Sequence, residues 1–175
     1  MTFNRFIGFS REEDGMSLHS YSRCWLHLIW STLNRERTLF REAGVKLSVF
    51  LTEYAESKGI YMKINYVNPE HVHALIDLPT CYSIEDVIKL LKGSSSHWIH
   101  ENRLLRGKFA WGRGYGAFSV SQSSLAEVAN YIAIQEEHHR KKSFQEEYEG
   151  FIERYGLQCR GEETVKTVGD ARSPS

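Results

Sequence analysis

Apolar residues along the chain fall into runs that switch between strand and helix periods. From Tyr21 to Trp30 both alternating faces are bulky, with Cys24, Leu26, Leu28 and Trp30 on one and Trp25, His27 and Ile29 on the other. That pattern predicts a central strand covered on both sides. Leu47, Phe50, Leu51 and Tyr54 then recur at helix spacing, and Gly59 ends the pattern. Strands from Ile60 to Val67 and from His71 to Leu78 flank Asn68-Pro69-Glu70, a composition that favours an antiparallel hairpin. On the second of them Val72, Ala74, Ile76 and Leu78 form an apolar face opposite His71, His73 and Asp77. Ser83-Ile84-Glu85-Asp86 reads as a capping box opening a helix whose apolar side is Val87, Ile88, Leu90 and Leu91. Gly93 and Ser94 to Ser96 weaken that helix, although Trp98, Ile99 and Leu105 can carry it onward. A connector holding Trp111, Gly112, Gly114 and Gly116 leads to a short strand, Ala117 to Ser121, and a last helix runs from about Ser124 to Lys141.

The order β-α-β-β-α-β with an added helix predicts an α+β, ferredoxin-like domain, an antiparallel sheet with helices on one face and a C-terminal tyrosine-bearing helix. Its bounds are residues 19–156, between a mobile segment at 1–18 and a mobile tail at 157–175, both polar and without apolar periodicity. A hydrophobic content of 41% and 13% aromatics in 175 residues suffices for one real core. Basic and acidic residues balance at 22 each, so no global field attracts nucleic acid and any such role needs local segregation. Between Lys89 and Arg113 that segregation exists: Lys89, Lys92, Arg103, Arg106, Lys108 and Arg113 face only Glu101. Trp98, Trp111 and Tyr115 lie within or beside the same segment, the composition of a single-strand surface where bases stack on rings. Solvated helix surface, and core for Trp98, are the plainer readings. Cys24, Cys81 and Cys159 fit neither a disulfide framework nor a cysteine zinc site. With no signal segment and no bilayer-spanning run, a cytoplasmic protein without membrane association is expected.

Chemistry enters with His71-Val72-His73, which sends two imidazoles from one strand face, an incomplete divalent-metal site. Alone, the pair reads more readily as two half-exposed histidines on a polar strand face. Tyr131 and Gln135 stand one helical turn apart beside the stripe of Leu125, Val128, Ala129 and Ile132. An amide oxygen suits Mg²⁺ or Mn²⁺ better than zinc and leaves positions for phosphate oxygens, so the set points to metal-assisted attack by tyrosine. Asp77 is a candidate partner for an imidazole, and His138 a possible neighbour of Gln135, with His139 diverging. Gly112-Arg113-Gly114-Tyr115-Gly116 precedes a strand instead of joining strand to helix, so no nucleotide cofactor is expected. Three activities fit: a DNA strand transferase, a non-catalytic ferredoxin-like nucleic-acid-binding module, and a metal-dependent hydrolase using activated water.

From about Tyr21 to Tyr155 the chain resembles the HUH single-tyrosine transposases of small bacterial and archaeal insertion sequences, including their REP-associated relatives. The resemblance is carried by Trp30-Ser31-Thr32, His71-Val72-His73, Lys92-Gly93-Ser94-Ser95-Ser96, Trp111-x-x-Gly114-Tyr115-Gly116, and Tyr131-x-x-x-Gln135 followed by Glu137-His138-His139-Arg140. It implies that His71, His73 and Gln135 bind a divalent ion and that Tyr131 is the nucleophile, giving a covalent 5′-phosphotyrosine. It further implies single-stranded DNA hairpins at element ends as substrate, and a homodimer that can combine the histidines of one subunit with the tyrosine helix of the other.

Overall fold

The computed structural model describes residues 21–135 together with Glu146, Glu149, Gly150 and Glu153. The end segments 1–18 and 157–175, and His138 and His139, lie outside the described residues. Strand β1 (Trp25–Ser31) is followed by a 3₁₀ turn (Leu33–Arg35), helix α1 (Arg41–Ser57), strands β2 (Tyr61–Val67) and β3 (His71–Asp77), helix α2 (Ile84–Glu101), strand β4 (Gly116–Val120), a second 3₁₀ turn (Gln122–Ser124) and helix α3 (Leu125–Ala133). The four strands pair in the order β2-β3-β1-β4, every neighbour antiparallel. This is the α+β arrangement read from the sequence.

Two apolar layers follow from strand alternation. Leu26, Leu28 and Trp30 of β1 and Val72, Ala74 and Ile76 of β3 meet Leu47 and Leu51 of α1 and Val87, Leu91 and Ile99 of α2 in the larger core. On the opposite face Trp25, Leu75 and Val120 pack under Leu125 and Ile132 of α3. Each fully buried Leu or Ile in these layers stabilises the fold by about 1.5–3 kcal/mol relative to an exposed one. At Gly44 the backbone of α1 comes so near β2 that a Cβ would stand 3.1 Å from the Val67 carbonyl. Among the described residues no helix is long and apolar enough to cross a membrane.

Several element ends are set by local chemistry. Ser83 and Asp86 form the reciprocal capping box: the Asp86 amide donates to Ser83 Oγ at 3.1 Å and the Ser83 amide to Asp86 Oδ2 at 3.1 Å. Gly59, at φ +70°, closes α1, with its amide on the Glu56 carbonyl and the Ile60 amide on that of Ala55. Arg103 holds the matching position after α2 at φ +48°, with its amide on His100 and that of Leu104 on Ile99. Helix α2 runs through Gly93 and the serines because its buried face continues through Leu91, Ser95 and Ile99, while Ser94 Oγ donates to the Leu90 carbonyl and Ser95 Oγ to that of Lys92. The first strand starts at Trp25 rather than Tyr21, since the Cys24 amide donates to the Asp77 side chain instead of a strand partner. One residue of β2 is bulged between Met62 and Ile64, so Met62 joins the larger core while Ile64 and Tyr66 turn to the α3 side. Helix α3 spans Leu125–Ala133, with Ile134 at ψ 20° as a local irregularity before Gln135, which is again helical; the remainder of the expected helix, to Lys141, lies outside the described residues.

Candidate functional site

Cross-strand partners share a face of the sheet. The register of β1 with β3 pairs Ile29 with His73 and Ser31 with His71, and that of β1 with β4 pairs His27 with Phe118. His71 and His73 therefore stand on the face covered by α3, and burial there is complete: both are 0% exposed. Their Nε2 atoms meet at 3.0 Å, the rings nearly perpendicular at 80°. The Asn68 side-chain amide donates to His71 Nε2 at 2.9 Å, so that nitrogen bears its lone pair and the proton sits on Nδ1. Toward Nδ1 lies Glu70, with Oε1 at 3.8 Å, too far for a hydrogen bond but near enough to attract its N–H. Burial raises the Glu70 pKa against the pull of Arg37, whose Nε is 3.4 Å from Oε2.

A third histidine belongs to this group. His27, 2% exposed, stacks on His73 with ring centroids 5.2 Å apart, and its Nε2 lies 2.9 Å from His73 Nδ1. Burial pulls its pKa from 6.5 down to about 4, so at pH 7 the His27 ring is neutral. In the sequence His27 reads as one more bulky residue of a covered strand. Only the offset between β1 and β3 brings it to His73, and no sequence signal carries that offset.

Tyr131, on α3, directs its ring edgewise at both: its centroid is 6.0 Å from that of His73 and 6.2 Å from that of His27. Gln135 is fully buried. Among the described residues no group of three or more His, Cys, Asp or Glu side chains is placed to hold a metal ion. Gln135 offers an amide oxygen, a donor type that a hard divalent ion beside imidazole nitrogens accepts. The donor set fits Mg²⁺ or Mn²⁺.

Asp77 takes no part here; it accepts from the Cys24 amide and pairs with Arg23 at 3.3 Å. The basic segment divides. Lys89 pairs with Glu85 at 2.8 Å on the surface of α2. Lys92 donates to the carbonyls of Gly112, Arg113 and Gly114 at 2.7, 3.3 and 3.2 Å, and its burial lowers its pKa. Lys108 lines a cleft with Glu36 and His100, Arg103 closes α2, and Arg106 is exposed. Trp111 packs edgewise on Trp30 and Phe109 and donates to Ser95 Oγ at 3.0 Å, while Trp98 stacks on Phe50 at 4.7 Å. Both are packing residues. Arg113 and the 40% exposed Tyr115 line a second cleft at the end of β1.

Residues 20–135 match the family model described as IS200-like transposase. The chain is 30% identical over 114 residues to the ISDra2 transposase TnpA of Deinococcus radiodurans, covering 62% of this chain and 81% of that protein. It is 24% identical over 122 residues to the IS200 transposase of Salmonella typhimurium, covering 67% and 80%. A crystal structure ascribed to a transposase of Deinococcus radiodurans R1 superposes with a TM-score of 0.53 at 26% identity, over 70% of this chain and 98% of that one. A REP-associated tyrosine transposase bound to a REP hairpin shares the fold, with a TM-score of 0.51 at 13% identity over 73% and 74%.

Proposed function

Because the chain belongs to the IS200-like transposase family, we propose that it cleaves and rejoins hairpin-marked single-stranded DNA through Tyr131, at a divalent ion held by His71, His73 and Gln135. The observation that carries the reading is the tyrosine ring standing 6.0 Å edge-on from His73, above a buried histidine pair whose Nε2 atoms converge at 3.0 Å. A bound Mg²⁺ or Mn²⁺ would withdraw charge from the scissile phosphate and favour phenolate over phenol, whose ordinary pKa is about 10. The protein supplies the rest. Tyr131 Oη forms the bond to phosphorus as the bond to the 3′ oxygen breaks, and the phenolic proton balances the one that oxygen takes up as a hydroxyl. The bond energy stays in a 5′-phosphotyrosine link, so a second 3′-hydroxyl can displace Tyr131 without ATP. Neutral imidazoles are the form that can donate lone pairs to such an ion.

The REP-associated neighbour holds a REP hairpin, and a hairpin-bearing single strand is the substrate we assign here. The active form we assign is a homodimer, in which α3 serves its own sheet or its partner's.

The test is incubation with labelled single-stranded DNA from the flanks of the gene's own locus plus Mg²⁺, followed by denaturing electrophoresis. A covalent protein–DNA adduct is expected, lost in Tyr131→Phe while hairpin binding persists. His71→Ala, His73→Ala and Gln135→Ala should each weaken Mn²⁺ binding. Cleavage without an adduct would identify a water-using hydrolase, and binding without cleavage a non-catalytic module. Light scattering that finds only monomer at micromolar concentration would reject the dimer.

A further inference from the structure

We propose that the cleft between the 3₁₀ turn after β1 and the loop before β4 seats one nucleotide of the DNA arm beside the scissile phosphate. On this assignment Arg35 and Arg113 take the phosphate and Tyr115 takes the base. The inference rests on the strand-transfer reading and deepens it.

Position comes first. Ile29 and Ser31 line the cleft and are the cross-strand partners of His73 and His71 on the same sheet face. Trp30 and Thr32 line it as well, so the cleft follows the end of β1, whose backbone runs one strand spacing, about 4.8 Å, from the β3 backbone that carries the histidine pair. The cleft encloses about 270 Å³, just under the roughly 300–1,000 Å³ of pockets that take drug-sized ligands. A single nucleotide is the right scale.

Both walls are fixed. On one side Asn34 and Arg35 are consecutive residues in left-handed backbone, at φ +54° and +58°. Arg35 is neither Gly nor Asn, so holding it there opposes folding, and the turn survives because the Leu33 amide is anchored on the Ala110 carbonyl and the Thr32 amide on that of Glu70. On the other side Lys92 binds three successive carbonyls of the loop, and the Gly112 amide is anchored on the Ser31 carbonyl. A side chain at Gly112 would meet Ser31 Oγ at 3.2 Å, closing the floor. The loop's carbonyls are thus turned onto Lys92, while Arg113 and Tyr115 remain exposed at the rim. Two guanidiniums and a phenol ring are the groups that bind a phosphate and stack a base.

The full-length protein is titrated with two fluorescent probes, a blunt DNA hairpin and the same hairpin with a short single-stranded arm. Arg113→Ala, Arg35→Gly and Tyr115→Ala should each weaken binding of the armed probe about tenfold and leave the blunt one unchanged. Each arginine variant should also lower the salt slope by about one. Tyr115→Phe should restore affinity. Arg35→Gly gives the sharpest contrast: it relieves left-handed backbone, so its melting temperature should hold or rise while arm affinity falls. A residue with a purely structural role would lose both. With 2-aminopurine moved along the arm, one position should be quenched on binding and released in Tyr115→Ala. Wild-type protein that binds neither probe overturns the strand-transfer reading and this inference with it. Wild-type protein that prefers the armed probe, with all three variants matching it, overturns this inference alone, as does equal loss on the blunt hairpin.

Discussion

Replacing His27 with Phe should uncouple metal affinity from folding. The His71 Nε2 lone pair is fixed by Asn68, and His73 Nε2 lies 3.0 Å away. Without a cation, a His73 proton on Nε2 shares the His71 lone pair with the Asn68 amide in a bifurcated bond and leaves His73 Nδ1 to accept from His27 Nε2. A bound cation would need the lone pair of both Nε2 atoms, so Asn68 would release His71 Nε2, the proton of His73 would sit on Nδ1, and the bond to His27 would reverse direction. Phenylalanine keeps the stacked ring but accepts nothing, leaving a buried N–H without a partner at a cost of about 1–3 kcal/mol. Because 1.4 kcal/mol is tenfold in an equilibrium constant, this corresponds to a loss of Mn²⁺ affinity of roughly 5- to 150-fold, which brackets the ~10- to 100-fold loss seen when a metal-ligating histidine loses its supporting partner. Calorimetric titration of Mn²⁺ measures the affinity. Nitrogen-15 spectra of the His73 ring, without metal and with saturating Mg²⁺, show the tautomer. His27→Gln, whose amide oxygen can accept, should recover part of the affinity. An unchanged Mn²⁺ affinity in His27→Phe, or an Mg²⁺-saturated His73 still protonated on Nε2, would refute the reasoning.

Three further outcomes concern the frame. Hydrogen bonds from Ser83 hold the Asp86 carboxyl below its ordinary 3.8, so its capping contribution is present above that pH and lost as pH falls through the lowered value. Thermal melts of Asp86→Asn should show a deficit at pH 7 that closes in acid, and a deficit independent of pH would reject the carboxylate as its source. Arg103→Gly, at φ +48°, should raise stability in denaturant titrations by roughly 0.5–1 kcal/mol, since relief of left-handed strain exceeds the backbone entropy glycine adds to the unfolded chain. Lys92→Met keeps the aliphatic stem but loses three carbonyl bonds. Allowing for partial exposure it should cost roughly 1–2 kcal/mol and speed amide exchange at Arg113 to Tyr115, whereas unchanged exchange would mean the loop holds itself.

The sequence makes the frame legible because each element carries its own period and its own stop: the Ser83 box, Gly59, and the alternation of β1 and β3 all act locally. Features that depend on pairing are hidden. Simple alternation sets Met62, Ile64 and Tyr66 on one face, and the bulge that separates them has no mark in composition. His71 and His73 are visible as a pair because they share a strand, whereas His27 joins them only through the β1–β3 offset. Charge in the Lys89 to Arg113 segment is equally visible, but folding sends Lys89, Lys92, Lys108 and Arg113 to different surroundings. Trp111, which reads as a stacking platform, is drawn into packing by Trp30 and by Ser95, whose hydroxyl takes its indole N–H.

Strand β1 assigns opposite duties to residues of opposite parity. Leu26, Leu28 and Trp30 belong to the larger core, and Trp25, His27 and Ile29 face the histidine site. Losing or gaining one residue within it would exchange the two sets, sending His27 into the apolar layer and a leucine to His73. Strand β2, at the sheet edge with one partner, accommodates an extra residue as a bulge; β1, bonded on both sides, has no free flank to absorb one. Length changes in this lineage should therefore accumulate in β2 and the loops and be purged from β1, where a single codon inserted or lost would remove core and chemistry together.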